Sequence, residues 1–470
     1  MKSNITVVIL AAGLGTRMKS RKAKVLHEAG GDTLLNHVIR AACEIALPEE
    51  IVVVVGHQAA AVSESVRVAG IRFAEQAEQK GTGHALLCAK EVIGTTDGDL
   101  LILNGDGPLL RPSTLRDLIE LRKTRQIGGA IVTTELHDPT GYGRIVRDEN
   151  GLVAAIVEHK SASEDQLKIR EINPGVYCFD AGLFWAHIGE VRPNNSAREY
   201  YLTDMIEIIR RHGNSVAPLL VRDETELLGI NTRVELAAAD KILRGRKVEQ
   251  LMLSGVTIEQ PESVTIDVHV EVGQDSVIEA NVQLRGNSYV GSNVRIGTGS
   301  VLRSCHVGDD ATVLPYVVAE ASMIGSGASV GPFARLRMNA EAGADTHIGN
   351  FVELKKTKLG AGSKASHLAY LGDSTIGSNV NVGAGTITCN YDGEKKHQTT
   401  IGDDVFVGSN STLVAPLRVD AGAYIAAGSV ITKNVESDAL AIGRAYQTEK
   451  PGWAKRRREN RKKREAEVRT

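Results

Sequence analysis

From Ile266 onward one aliphatic residue recurs every six positions, at Ile266, Val272, Ile278, Leu284, Val290, Ile296 and Leu302. The same phase returns at Ile401, Val407, Leu413, Val419, Ile425 and Ile431. Pieces of it lie between, at Ile324, Val330 and Leu336 and at Ile376 and Val382. Neither the helical period of about 3.6 nor the strand period of about 2 produces such a run. A hexapeptide repeat does: one aliphatic side chain per six points into a triangular prism, and three sixes close a coil. Glycine, Asn, Asp and Ser at the corners supply the backbone freedom. A chance β-sandwich pattern would not hold phase through so many repeats. Composition agrees, with 48 glycines against 12 prolines and aromatics at only 4%. The C-terminal half is therefore predicted to be a left-handed parallel β-helix.

The N-terminal half obeys another rule. Short, β-branched apolar runs at Thr6–Leu10, Ile51–Val55, Leu100–Leu103 and Ala130–Thr133 alternate with segments of helical spacing such as Leu34–Ile45 and Pro112–Thr124. Continuous apolar strands between helices imply an α/β domain with a mostly parallel sheet, Rossmann-like in layout. Ligands should gather beyond the C-terminal ends of its strands. Thr232–Leu253 carries apolar residues at i, i+3 and i+4 and stops at Ser254-Gly255, which predicts one connecting helix. The expected division is 1–233, a linker helix at 234–254, and a β-helix domain at 255–470.

Net charge is -2, which removes the electrostatic case for nucleic acid. The run from Lys455 (KRRRENRKKREAEVRT) is expected to be a solvated terminal helix, with RNA or membrane contact as the alternative. Cys43, Cys88, Cys178, Cys305 and Cys389 are scattered and form no C-x-x-C pair, so reduced thiols in a cytoplasmic protein are expected and no cysteine zinc site. The apolar run Ile5–Ala12 is too short to span a membrane and flows into a glycine loop.

That loop, LAAGLGTRM (Leu10 to Met18), follows the first strand directly. Gly13 and Gly15 let backbone N–H groups turn inward as an anion cradle, while Arg17 and Lys24 add the fixed charge a triphosphate needs. The spacing is neither that of the ATPase phosphate loop nor that of the dinucleotide fingerprint. On the β-helix, His367 stands among Lys364, Ser366 and Tyr370, with Glu353 about one coil earlier. A histidine of near-neutral pKa suits removal of a proton from an amine attacking a thioester, and a carboxylate behind it would fix its tautomer. Alone, each of these residues reads as a turn, corner or surface position.

Together they resemble one family. LAAGLGTRM with Ala23-Lys24 is the signature of sugar-1-phosphate nucleotidyltransferases. Gln76, Gln79 and GTGHA (Gly81 to Ala85), NGD (Asn104 to Asp106), PTGYGR, VEHK, EYYLTD and GINTR extend it to the bacterial bifunctional N-acetylglucosamine-1-phosphate uridylyltransferase/glucosamine-1-phosphate acetyltransferases. GNFVE-x-KK, SHL-x-YLGD and CNYDG carry the likeness through the β-helix.

The resemblance implies that Asp106 and Asn231 bind Mg²⁺, with Arg17 and Lys24 catalytic beside the phosphates of the cosubstrate UTP. It places nucleotide and sugar against Leu10, Ala11, Ala12, Gly13, Lys24, Gln76, Gly81, Thr82, Asn104, Gly105, Asp106, Gly141, Glu158, Asn173 and Asn231. It makes His367 the general base, supported by Glu353. Arg335, Lys355, Tyr370, Asn381 and Lys396 would surround glucosamine-1-phosphate, and acetyl-CoA would touch Ala384, Asn390, Tyr391, Ser409, Ala427 and Arg444. It further implies a homotrimer without stable membrane insertion, whose product, UDP-N-acetylglucosamine, feeds peptidoglycan and lipopolysaccharide. The family usually has Tyr-Gly-Asp where this chain has Asn104-Gly105-Asp106, Val at Gly107, Asn-Thr-Gly at Asn173-Pro174-Gly175, and Val-Pro at Ala445-Tyr446.

Overall fold

The computed structural model describes residues 4–93, 97–193 and 198–467, and the last three residues of the basic run lie outside them. It divides into two compact units, Met1–Leu251 with Ile266–His269, and Met252–Thr265 with Val270–Thr470.

The first unit is built on a ten-stranded sheet. Ile5–Leu10 lies between Ile51–Val55 and Asp99–Asn104, parallel to both, and Arg72–Glu75 extends the parallel side. Val7, Val8 and Ile9 are buried without alternation because layers cover both faces of this sheet. Helix Leu34–Cys43 starts where the Thr33 side chain accepts the Asn36 amide, and helix Pro112–Arg125 starts on a proline that needs no donor there. The sheet continues on its other side in a manner the apolar runs did not reveal. Tyr177–Asp180 inserts antiparallel between Asp99–Asn104 and Gly129–Glu135. Beyond it Glu171–Asn173, Gly143–Arg147 and Val153–Val157 form an antiparallel wing. Glu171–Asn173 and Gly143–Arg147 mix charged and polar residues with apolar ones, while Val153–Val157 is wholly apolar but short and only partly buried.

Helix Arg233–Leu253 matches the connecting helix to within a residue. Thr232 and Glu235 close a capping box: Glu235 Oε2 accepts the Thr232 amide at 2.7 Å and the Asn231 amide at 2.6 Å, while Thr232 Oγ1 accepts the Glu235 amide at 3.2 Å. Ala239 and Leu243 pack with Ala29, Leu34, Leu109 and Ile230, so most of this helix belongs to the first unit's core.

The second unit holds three parallel sheets, stacked coil upon coil. This is the prism of a hexapeptide β-helix, the architecture expected. Ile278, Leu284, Val290, Ile296 and Leu302 are completely buried, as are Val407, Leu413 and Val419. Corner residues take the left-handed backbone, among them Asn293, Asp310, Asn379 and Asn410. The terminal helix Trp453–Glu467 buries nothing, and Arg457 lies over the Trp453 ring. Among the described residues no helix is long and apolar enough to cross a membrane.

Candidate active sites

In the first unit the loop after Ile5–Leu10 and the end of Asp99–Asn104 open into a cavity of about 610 Å³. Leu10, Ala11, Ala12, Gly13, Lys24, Gln76, Gly81, Thr82, Asn104, Asp106, Gly141 and Glu158 all line it. The parallel register places Leu10 beside Asn104, and the Gly105 amide donates to the Leu10 carbonyl at 2.9 Å, so Gly105 acts through backbone. Gly15 has φ +60°, and a Cβ there would lie 2.5 Å from Lys24 Cβ, so only glycine lets the loop close over that lysine.

Four charged or polar groups converge beside the cavity, of which Lys24 and Asp106 line it. The Lys24 ammonium bridges the Asp106 carboxylate and, at 3.1 Å, Asn231 Oδ1. Arg17 donates to the same amide oxygen at 2.8 Å. Asn231 is held by the capping box described above, and the Ile230 amide donates to the Asp106 carbonyl at 3.0 Å. One carboxylate and one amide oxygen thus face a common cationic point. That donor set fits a small hard divalent cation, which uses few protein oxygens and leaves the rest of its shell to substrate and water.

Glu158 is a half-buried wall residue. Burial pushes its carboxyl up, the Thr203 hydrogen bond works against this, and Asp204 and Glu199 add to the rise. Gln76 is 3% exposed, donating to the Gly81 carbonyl and touching His84, so its amide orientation is fixed. Asn173 is anchored within the protein: it donates to Tyr177 Oη at 2.7 Å and accepts the Gly175 amide at 3.1 Å. His159, Lys160, Ser161, Glu199 and Tyr201 also line the cavity and were not singled out. The only sequence signal for His159, Lys160, Glu199 and Tyr201 was membership of the VEHK and EYYLTD strings, and Ser161 had none. Two departures from the family pattern touch one another, since Asn104 Nδ2 donates to the Pro174 carbonyl at 3.2 Å.

In the second unit one coil after another delivers the expected groups. Asn350 and His367 are in register on adjacent strands, and His367 Nδ1–H donates to Asn350 Oδ1 at 2.7 Å. An amide oxygen only accepts, so this contact places the proton on Nδ1 and leaves the Nε2 lone pair outward. The expected support from Glu353 is corrected here. Glu353 is in register with Tyr370, and its carboxylate pairs with Arg337 Nε at 2.6 Å. The coil is 17 residues at this point, so the residue stacked under His367 is Asn350.

Arg335, Glu353 and Tyr370 form one file across three coils, with Arg337 and Lys355 in the neighbouring file. Lys355 is buried and pairs with Asp373 at 2.6 Å. Burial opposes its charge, but Asp373 outweighs that and raises the ammonium; Lys396 and Tyr370 bear on the same group. Asp373, absent from the sequence-based set, is the buried counter-charge of this pocket. The structure therefore gathers Lys355, Tyr370 and Lys396. Asn381 lies in the sheet of His367, but beside Lys364.

Asp373 also takes the Asn390 amide, which reaches Tyr370 Oη at 3.4 Å. The Asn390 side chain, expected against acetyl-CoA, is thus turned inward and 8% exposed. Its amide is consumed by the buried carboxylate. Ala384, Ser409 and Ala427 each follow by two residues the registered positions Val382, Val407 and Ile425, so they stack at one corner of three coils. Arg444 lies over Gly428 just beyond, and Tyr391 is exposed on the loop bridged to Lys396.

Burial pushes the Asp373 carboxyl up, but its bonds to Lys355 and Asn390 win and hold it below the usual range. A depressed carboxyl contributes stability above its unfolded pKa and loses it as pH falls through the folded value. Asp373→Asn is accordingly expected to cost the second unit about 3 kcal/mol at neutral pH, by leaving a buried ammonium without its counter-charge. The difference from the native chain should shrink on acidification, measured by denaturant unfolding in both regimes.

A family model described as a MobA-like NTP transferase domain matches residues 7–165. One described as bacterial transferase hexapeptide (six repeats) matches residues 269–304 and 398–433. The chain is 54% identical over 458 residues to the Bifunctional protein GlmU of Solibacter usitatus, covering 97% of this chain and 98% of that one. Proteins of the same name from Koribacter versatilis and Anaeromyxobacter sp. are 46% and 49% identical, over 97% of this chain and 98% and 93% of theirs.

Proposed function

Because the chain belongs to the family of bifunctional GlmU proteins, we propose that it makes UDP-N-acetylglucosamine in two steps, acetylating glucosamine-1-phosphate in the second unit and uridylylating the product in the first. It is a bifunctional transferase, with nucleotidyltransferase and hexapeptide acyltransferase halves. The observation that carries the pairing is the occurrence, in one chain, of Lys24, Asp106 and Asn231 drawn together beside a cavity of about 610 Å³ and of His367 anchored by the Asn350 amide. We assign uridylyl transfer to residues 1–233 and acetyl transfer to 255–470, joined by the helix of 234–254.

For acetyl transfer, acetyl-CoA lies along the corner of Ala384, Ser409 and Ala427, where small side chains leave room, and ends near Arg444 and Tyr391. Arg335, Lys355 and Lys396 attract the sugar phosphate, with Tyr370 and Asn381 on the sugar. His367 Nε2 takes the proton as the amine nitrogen bonds the thioester carbon. The C–S bond then breaks and CoA leaves as thiol once protonated. Asn350 keeps the reactive tautomer in place.

For uridylyl transfer, a phosphate oxygen of N-acetylglucosamine-1-phosphate attacks the α-phosphorus of UTP and pyrophosphate leaves. No side-chain nucleophile is needed, since the attacker is already ionised. Gln76, Gly81 and Thr82 hold the base, and Gly141, Glu158 and Asn104 hold the sugar. Arg17 and Lys24 meet the phosphates and balance their charge. Asp106 and Asn231 are the residues that would hold Mg²⁺, which when bound supplies further neutralisation of the phosphates.

The chain is proposed to work as a cytoplasmic homotrimer. Its exposed coil faces support this reading, with Tyr316, Phe333 and Phe351 stacked ring on ring along the prism, while five free cysteines suit a reducing compartment.

The test is an assay with glucosamine-1-phosphate, acetyl-CoA, UTP and Mg²⁺ that follows CoA thiol and pyrophosphate separately. Thiol release, with pyrophosphate dependent on acetyl-CoA, is expected. Pyrophosphate only from added N-acetylglucosamine-1-phosphate, with no thiol, would make the β-helix a scaffold and overturn the second site. Light scattering on the same preparation should give three times the chain mass of 50.3 kDa; a monomer would refute the trimer.

A further inference from the structure

Away from the cavity, on the first unit, two histidines and a glutamate that neither reaction uses come together. Helix Ala181–His187 runs into a single tight turn at Ile188–Glu190, which puts His187 and Glu190 on one face. Helix Met205–Arg211 ends at His212, whose carbonyl is held by Asn214 at 3.2 Å. His187 Nδ1–H and His212 Nε2–H both donate to the same carboxylate oxygen, Glu190 Oε1, at 2.7 and 2.9 Å. The imidazoles lie parallel, 3.7 Å between ring centres, so each orients the other. One ligand atom from each of the three residues falls within a common 4.8 Å, and the side chains are only partly covered, between 22% and 39% exposed.

Two imidazole nitrogens and a carboxylate aimed at one point form the donor set of a borderline transition ion with an open position. Oxygen-seeking Mg²⁺ does not choose such ligands. We propose that His187, Glu190 and His212 bind a zinc-class divalent ion, with solvent completing its shell. Binding needs each histidine to present a lone pair where it now presents N–H. Neutral imidazole does this by moving its proton to the other ring nitrogen, Nε2 of His187 and Nδ1 of His212. Glu190 is exposed enough to swing aside and admit the ion. The ion ties the end of one helix to the end of another. This clip between two helix ends is distinct from the cation point of Asp106 and Asn231.

The experiment uses the full chain, stripped with chelator and dialysed against Zn²⁺ in excess Mg²⁺, with bound zinc then counted. The native chain should retain one equivalent more than His187→Ala and His212→Ala. Zinc should also raise the melting temperature of the native chain but not of the variants. His397→Ala, removing another histidine–carboxylate pair on the second unit, serves as control and should keep the equivalent. Uridylyl transfer by the metal-free variants verifies that they are folded. If His212→Ala fails that check, His212→Gln replaces it. Equal zinc on native chain and variants, or none on the native chain, overturns the proposal.

Discussion

His367→Ala is expected to lower kcat for acetyl transfer to glucosamine-1-phosphate by about 10²–10⁴-fold, while uridylyl transfer stays near native. The magnitude is that of a positioned general base, and the selectivity follows from the exposed position of His367 on a coil of the second unit. Its ring contacts Asn350 rather than any core residue, so its removal opens no cavity. Asn350→Ala should fall between, because it frees the ring without removing the base. Separate thiol and pyrophosphate assays check both. Equal loss of the two activities in His367→Ala would point to misfolding or a wrong assignment.

Asp106→Ala has the opposite profile. Pyrophosphate release is expected to fall by about 10²–10³-fold, as for loss of one preorganised charge-stabilising group, and acetylation to persist. The substitution also releases the Lys24 ammonium from its carboxylate partner. Nucleotide affinity should therefore fall less than kcat, since the lysine becomes free to meet phosphate. A KM-against-kcat split on UTP, taken with a magnesium titration, distinguishes these effects. Uridylyl transfer at the native rate would discredit Asp106 as a metal-holding residue.

The parts of the fold that repeat were the parts most legible. Aliphatic residues at a step of six had to face inward, and Leu284, Ile296 and Leu413 are fully buried. The parallel strands of the first unit announced themselves by unbroken apolar runs. The antiparallel wing did not: Gly143–Arg147 mixes arginines with its apolar residues, and the short apolar run Val153–Val157 gives no sign of strand direction.

In the first site, the loop turning after the first strand was readable from Gly13 and Gly15, whereas the other cavity residues, Gly81 among them, were expected only from the family resemblance. Partnerships across coils were not readable. Glu353 lies less than one coil before His367, and the register stacks Asn350 there, with Glu353 under Tyr370 instead. Asp373 closes the SHL-x-YLGD string, but its pairing with Lys355 could not be read from it, because the partner lies one coil away. His187 and His212 were invisible for a related reason, being brought together by two helix ends rather than by any spacing.

The prism's coil-to-coil hydrogen bonding has a consequence for how this chain fails. Each coil rests only on its neighbours, so the array behaves as a one-dimensional lattice in which damage stays local and spreads from an end. The strands nearest the C-terminus, Val430–Ile431 and Leu440–Ala441, have the fewest partners beyond them. Fraying from that end strips the corner of Ala427 and Arg444 before it reaches His367, and reaches the first unit last. An ageing or heated preparation should thus become a chain of one activity well before it becomes a chain of none.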